Sequence, residues 1–246
     1  MHRRILILAL ISGLANGCAY VDPLIQDFNV VSVDQERQLG EQMAAQIEGE
    51  MAFSRDAAAQ QRVQKVGQRL VASLNRRDFN YEFFVVQDKD PNAFTIPGGK
   101  IYVHTGLLQF ADNESEIAGV IGHEIAHAYL RHPAKGISRQ LGAQQLAGLL
   151  FKDTQGKLKT LALQMAGGGI LTRYSRQDEY EADEIGYQIL KSSGYKTDGL
   201  LRFLRKLQGL QTGSASPLAF LSTHPPTPDR IARLESMEMQ RTSYLR

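Results

Sequence analysis

The chain has 246 residues, 43% of them hydrophobic and 22% charged, with 28 Lys and Arg against 26 Asp and Glu and a net charge of +2. That length suits one larger globular domain with a substantial core, and so small a net charge supplies no electrostatic reason to bind nucleic acid. Apart from the amino terminus, no segment is long and apolar enough to be read as a membrane-spanning helix.

His2, Arg3 and Arg4 precede a short apolar run from Ile5 to Ala15, the layout of a secretory signal peptide. The run is too short to span a bilayer. Leu14-Ala15-Asn16-Gly17-Cys18 resembles a lipobox, the site at which bacterial lipoproteins are cleaved and acylated, although Asn16 is an uncommon residue there. Cys18 is the only cysteine, so it has no internal disulfide partner and is expected to carry a lipid anchor. Ala19 lacks the acidic character of an inner-membrane retention signal, which points to the periplasmic face of the outer membrane. The expected organisation is a signal peptide over 1–17, a lipid-anchor linker over 18–33 and a single domain over 34–246.

Asp34 to Asn75 reads as two amphipathic helices, with Leu39, Met43 and Ile47 and then Val63, Val66, Leu70 and Leu74 spaced for burial. Tyr81 to Val86 reads as a strand, and Phe94 to Ile96 and Lys100 to His104 as two more joined by a turn at Pro97-Gly98-Gly99. Asp112 or Asn113 can cap the next helix, whose residues Ile117, Val120, Ile121, Ile125 and Ala128 recur at helical spacing. Ile137 to Thr172 reads as a helical hairpin capping the site that follows, with Gly167-Gly168-Gly169 as its hinge. Ser175 is a candidate cap for a further helix through Gly186 and Tyr187, and Leu200 to Leu210 and Asp229 to Met239 supply the last two. No internal repeat is present.

Within the apolar helix stands His123-Glu124-Ile125-Ala126-His127, an HExxH pattern. Residues four apart lie one turn above each other, so both imidazoles can reach one zinc ion while Glu124 points at its open side. A catalytic zinc takes three protein ligands and keeps one position open, so a third donor is expected downstream. Two candidates exist: Glu179, which shares a helical face with Asp183 while Glu181 points elsewhere, and His224 in the stiff segment His224-Pro225-Pro226.

HEIAH, then EYEAD, then THPPTPDRI, in this order, resemble the zinc metallopeptidase family that includes HtpX and the CAAX prenyl endopeptidases, and within it the lipid-anchored bacterial envelope members of the LoiP type. The resemblance covers roughly residues 34–240, including the strand pair around Asn92 to Val103. It implies an α+β fold, mainly helical and zincin-like, with a small β-sheet beside the HExxH helix. It also implies that His123, His127 and Glu179 hold one zinc per chain, that Asp183 orients a histidine ligand, that His224 sits near the metal and that Arg230 is the matching helix arginine.

The expected chemistry is peptide hydrolysis, with Glu124 accepting a proton from the attacking water and passing it to the leaving amine. His224 or Tyr180 is the candidate oxyanion donor; alternatively, His224 occupies the water position and keeps the enzyme latent. An open strand edge beside the metal helix would bind extended or unfolded polypeptides as an added strand. The competing expectation is a zinc-containing chaperone or assembly factor for outer-membrane proteins, with latent or no proteolysis. The sequence sets no oligomeric state.

Overall fold

The computed structural model describes residues 29–147, 174–210, 219–225 and 227–243. The signal segment, Cys18, most of the linker and the glycine hinge at Gly167 to Gly169 lie outside the described residues. None of the described helices is long and apolar enough to cross a membrane.

Helix α1, Val33–Glu50, starts at a reciprocal cap in which Ser32 Oγ accepts from the Gln35 amide and the Gln35 side chain accepts from the Ser32 amide. It buries Leu39, Met43 and Ile47, the stripe expected from spacing. Helix α2, Ala57–Ala72, is capped by Asp56 and buries Val63, Val66 and Leu70. Strands β1 Glu82–Val86, β2 Ala93–Ile96 and β3 Lys100–His104 follow.

The sheet order is β1-β3-β2, with β3 antiparallel to β2 through the Pro97-Gly98-Gly99 turn and parallel to β1. Gly98 and Gly99 have φ of 85° and 86°, left-handed values that a side chain would oppose. Both faces of the sheet are covered. Phe83, Val85, Ala93, Ile101 and Val103 belong to one apolar cluster with α2; Val86, Phe94, Ile96 and Tyr102 belong to another with α1. This explains the nearly continuous apolar character of the strands, which side-chain alternation alone would not produce.

The outer edge of β1 is occupied. Phe53 bridges Val86, the Ser54 amide donates to Val85 O, and the Gln60 side chain bonds the main chain at Phe83 and Val85. The outer edge of β2 lies on the side of the central helix.

That helix is α4, Glu114–Tyr129, preceded by the short α3, Thr105–Phe110. Asn113, one of the two expected caps, accepts from the Ser115 and Glu116 amides, and every residue from Glu116 to Ala128 is buried. Arg131, at φ 60°, breaks the chain before α5, His132–Ala147. The expected start at Ile137 is therefore too late: the turn after Tyr129 is a single left-handed residue with no glycine to advertise it.

Helix α6, Arg176–Ser192, packs along α4, followed by α7, Gly199–Leu210, the short α8, Ala219–Thr223, and α9, Pro228–Ser243. The α4–α6 crossing is close because Gly122 and Gly186 face each other: a Cβ on Gly186 would stand 3.3 Å from the His123 amide nitrogen. The chain is thus mainly helical with one small sheet, the α+β class expected. On the other side of α4, a Cβ at Gly199 would sit 1.9 Å from Ser115 O. Gly199→Ala should therefore lower the stability of the metal-free protein by about 1–3 kcal/mol, despite alanine's better helix propensity. A urea midpoint at or above wild type would show that α7 does not need this approach.

Candidate metal centre

The α4–α6 crossing brings two sequence-distant polar stripes together. On α4, the four-residue spacing stacks His123 over His127; on α6, Ser175 and Asp178 form a capping box that starts the helix so that Asp178, Glu179, Ala182, Asp183 and Gly186 fall on its buried face. A third contribution comes from the segment after α8, where the His224 ring stacks on Phe220 at 4.8 Å. The fourth is Arg230, in the first turns of α9.

One donor atom each from His123, His127, Glu179 and His224 lie within 4.8 Å of one another. His127 Nε2 is 3.0 Å from His123 Nε2; His123 Nε2 is 3.4 Å and His127 Nε2 3.5 Å from Glu179 oxygens; His224 Nδ1 is 3.0 Å from Glu179 Oε1 and 3.3 Å from His123 Nε2. Donors bound tetrahedrally to zinc at ~2.0–2.1 Å stand about 3.3 Å apart, so these spacings fit such an ion. The chemistry of the set fits as well. His123 Nδ1 faces Asp183 Oδ1 at 3.1 Å, and His127 Nδ1 faces His132 Nδ1 at 2.9 Å, which leaves both Nε2 lone pairs aimed at the same point.

Glu124 is fully buried beside the cluster, with His224 Nε2 3.4 Å from Oε1 and the Thr95 backbone amide directed at it. Arg230, also buried, clamps two carboxylates. It donates through Nε and Nη2 to Asp183 at 2.8 and 2.7 Å, and its Nη1 is 2.5 Å from Glu179 Oε2.

The electrostatics of these side chains follow from burial and pairing. Burial raises the Glu124 carboxyl, with His224 and His123 opposing it. Glu179 is buried too, yet His224 and Arg230 hold it well below the usual carboxylate range, and Arg230 does the same for Asp183 against its burial. Burial works against a charged His123, but the Asp183 and Glu179 carboxylates push it up to about 9; His127 falls well below its ordinary value through burial and the neighbouring His123. Arg230 offsets part of the negative charge that Glu179 and Asp183 bury, and a divalent cation at the donor atoms would take the place of the proton that these carboxylates otherwise hold on His123.

Three residues near the site were not anticipated from sequence. His132 lies under His127, Tyr174 stacks on the His127 ring at 3.8 Å, and Glu181, held down to about 2 chiefly by its hydrogen bond with His132, stands 3.4 Å from His132 Nε2. The available signal was a histidine five residues beyond the HExxH pattern, readable only once the turn at Arg131 is known. Tyr180 does not reach the cluster. Its ring lies under Arg233 at 4.6 Å, because a residue adjacent to the inward-facing Glu179 is rotated about 100° around the helix. Cys18 is outside the described residues.

If the cluster is a metal site, Glu179→Ala should bind zinc far more weakly while the apo protein still folds; full metal occupancy by elemental analysis in that variant would remove Glu179 from the ligand set.

The profile of peptidase family M48 matches residues 57–238. Over 216 residues the chain is 32% identical to the beta-barrel assembly-enhancing protease of Escherichia coli (strain K12), covering 83% of this chain and 44% of that protein. It is 29% identical over 213 residues to the mitochondrial metalloendopeptidase OMA1 of Schizosaccharomyces pombe, covering 85% and 62% respectively. To the metalloprotease YcaL of Escherichia coli it is 28% identical over 190 residues, covering 76% and 72%. The chain thus spans less than half the length of the assembly-enhancing protease it matches. With the profile match running from α2 into α9, across the whole buried cluster, the chain belongs to peptidase family M48, a zinc metallopeptidase family.

Proposed function

We propose that this chain is a zinc-dependent endopeptidase of the bacterial envelope that cleaves unfolded or misassembled proteins; one relative is named a beta-barrel assembly-enhancing protease and another a metalloprotease. The observation that carries the reading is the cluster of four buried donors with a buried carboxylate, Glu124, beside it. His123, His127 and Glu179 hold the ion, one per chain. When bound, zinc polarises the scissile carbonyl and acidifies water.

The remaining steps belong to the protein. Glu124, its carboxyl raised by burial, accepts the proton of the attacking water and delivers it to the leaving nitrogen. Asp183 fixes the His123 ring from Nδ1, and Arg230 fixes Asp183 and Glu179 together, so the ligand geometry is set before substrate arrives.

The outer edge of β2 is the substrate cradle in this reading. The His104 amide donates to Asn92 O, so in an antiparallel ladder Phe94 and Ile96 bond β3, while the main-chain groups of Ala93 and Thr95 turn outward. The Thr95 backbone amide is directed at Glu124. An extended peptide added at this edge runs alongside the cluster. That favours polypeptides lacking fixed structure.

The assembly-factor reading has one specific observation in its favour. His224 Nδ1 sits among the ligand atoms, its Nε2 faces Glu124, and all these residues are buried, an arrangement that suits a site held closed. We take His224 as a latching residue that must withdraw before cleavage, rather than as an oxyanion donor. A signal peptide over 1–17, acylation at Cys18, a linker over 18–33 and a catalytic domain over 34–246 complete the proposal, placing the enzyme on the periplasmic face of the outer membrane.

Metal content and casein cleavage on the purified full chain test this. One zinc per chain is expected, with higher cleavage in His224→Ala than in wild type. Adding Glu124→Gln to that variant should lower cleavage by about 10²-fold or more with zinc retained. Cleavage that survives Glu124→Gln removes the general-base role, and a loss of activity in His224→Ala returns His224 to oxyanion stabilisation.

A further inference from the structure

The two histidines of α4 are supported in different ways. His123 Nδ1 meets a carboxylate directly, Asp183 Oδ1 at 3.1 Å. His127 Nδ1 meets another imidazole, His132 Nδ1 at 2.9 Å, and His132 Nε2 in turn faces Glu181 Oε2 at 3.4 Å and Asp178 Oδ1 at 3.7 Å. His132 is completely buried, while Glu181 is partly open to solvent. The far end of the chain is itself braced: Gln177 Nε2 donates to Glu181 Oε1 at 2.8 Å, and Arg139 pairs with Asp178.

Proton positions follow from these contacts. For His127 to present an Nε2 lone pair to the cluster, its proton must sit on Nδ1. That proton points at His132 Nδ1, which must accept, so His132 carries its own proton on Nε2, where Glu181 Oε2 supplies an acceptor. Once the His127 proton sits on Nδ1, a proton on His132 Nδ1 would set two donors against each other in a buried contact.

We infer that His132, oriented by Glu181, is the positioning residue for His127, holding it in the one tautomer able to bind a cation. The inference rests on the metal-site reading above. It assigns a purpose to the left-handed turn at Arg131, which reverses the chain just after α4 and starts α5 at His132, directly beneath the ligand. Tyr174 holds the same ring from its face, so His127 rotates only if both neighbours move. A neutral imidazole between ligand and carboxylate also places the negative charge one ring further from the metal than Asp183 does, leaving the buried side of the site less crowded with anions.

The test is zinc affinity, measured on the full-length chain by competition with a chromophoric chelator, together with the melting temperature of the metal-free protein. His132→Phe keeps the ring and loses the acceptor; His132→Asn places Oδ1 where Nδ1 was. The expected result is zinc binding weakened by about ten-fold or more in His132→Phe, near wild type in His132→Asn, and metal-free melting temperatures that do not follow that order. Wild-type affinity in His132→Phe overturns the inference. So does an equal loss in both variants, which would mean that the site needs an imidazole's bulk and not its acceptor. Should His132→Phe fail to fold, Glu181→Ala and Glu181→Gln take its place: weaker binding in the first alone supports the relay, and equal affinities overturn it. A wild-type chain that takes up no zinc would instead overturn the metal-site reading itself.

Discussion

Buried charge is the constraint around which this molecule is arranged. Glu124, Glu179 and Asp183 carry three carboxylates into an interior with essentially no water contact, and Arg230 supplies one positive charge against them. Desolvating such groups is tolerable only where each finds a partner of opposite sign at short range. Asp183 and Glu179 find Arg230; Glu124 has the His224 ring at 3.4 Å and the Thr95 backbone amide directed at it. A dication would fit among the donors of such a site, at the inter-donor spacings found there.

The fold's part is to make this arrangement rigid. Helix α4 is wrapped on every side, by α2, α5, α6, α7 and the sheet, so its histidines have no freedom to swing. Gly122 and Gly186 let α4 and α6 approach closely enough for Asp183 and Glu179 to reach both imidazoles. Arg230 then ties α9 to α6, and His224 meets Glu179 of α6 at 3.0 Å. A site assembled from three helices and a loop depends on the packing of all of them, which is why its polar groups sit among fully buried apolar neighbours such as Ile121, Ile125 and Phe220.

The sheet is asymmetric in a way that matters for the proposed activity. The edge of β1 is closed by Phe53, Ser54 and the Gln60 side chain, whereas β2 packs beside the metal helix with its Thr95 amide directed at Glu124. Closing one edge removes a surface open to unwanted strand pairing and leaves one edge near Glu124. Ala93 and Thr95 are nevertheless buried, as is His224.

Much of this was legible in the sequence for local reasons. Four-residue spacing placed His123 and His127 on one helical face, Ser175 marked the start of α6, the glycines after Pro97 marked the β-turn, and the apolar stripes of α1 and α2 followed helical periodicity. These are properties of neighbours along the chain, set by backbone geometry and side-chain chemistry within a turn or two. What only the tertiary structure decided depends on contacts between distant segments. The parallel pairing of β1 with β3, the insertion of His224 between Glu179 and Glu124, the clamp of Arg230 on two carboxylates and the placing of His132 under His127 are such contacts. Tyr174 rather than Tyr180 reaches the cluster for the same reason. A sequence shows which residues can bind a metal and which helical face they share; which of them meet, and which ring nitrogen faces the ion, is settled by the crossing of helices, because only close packing brings buried polar groups within reach of each other.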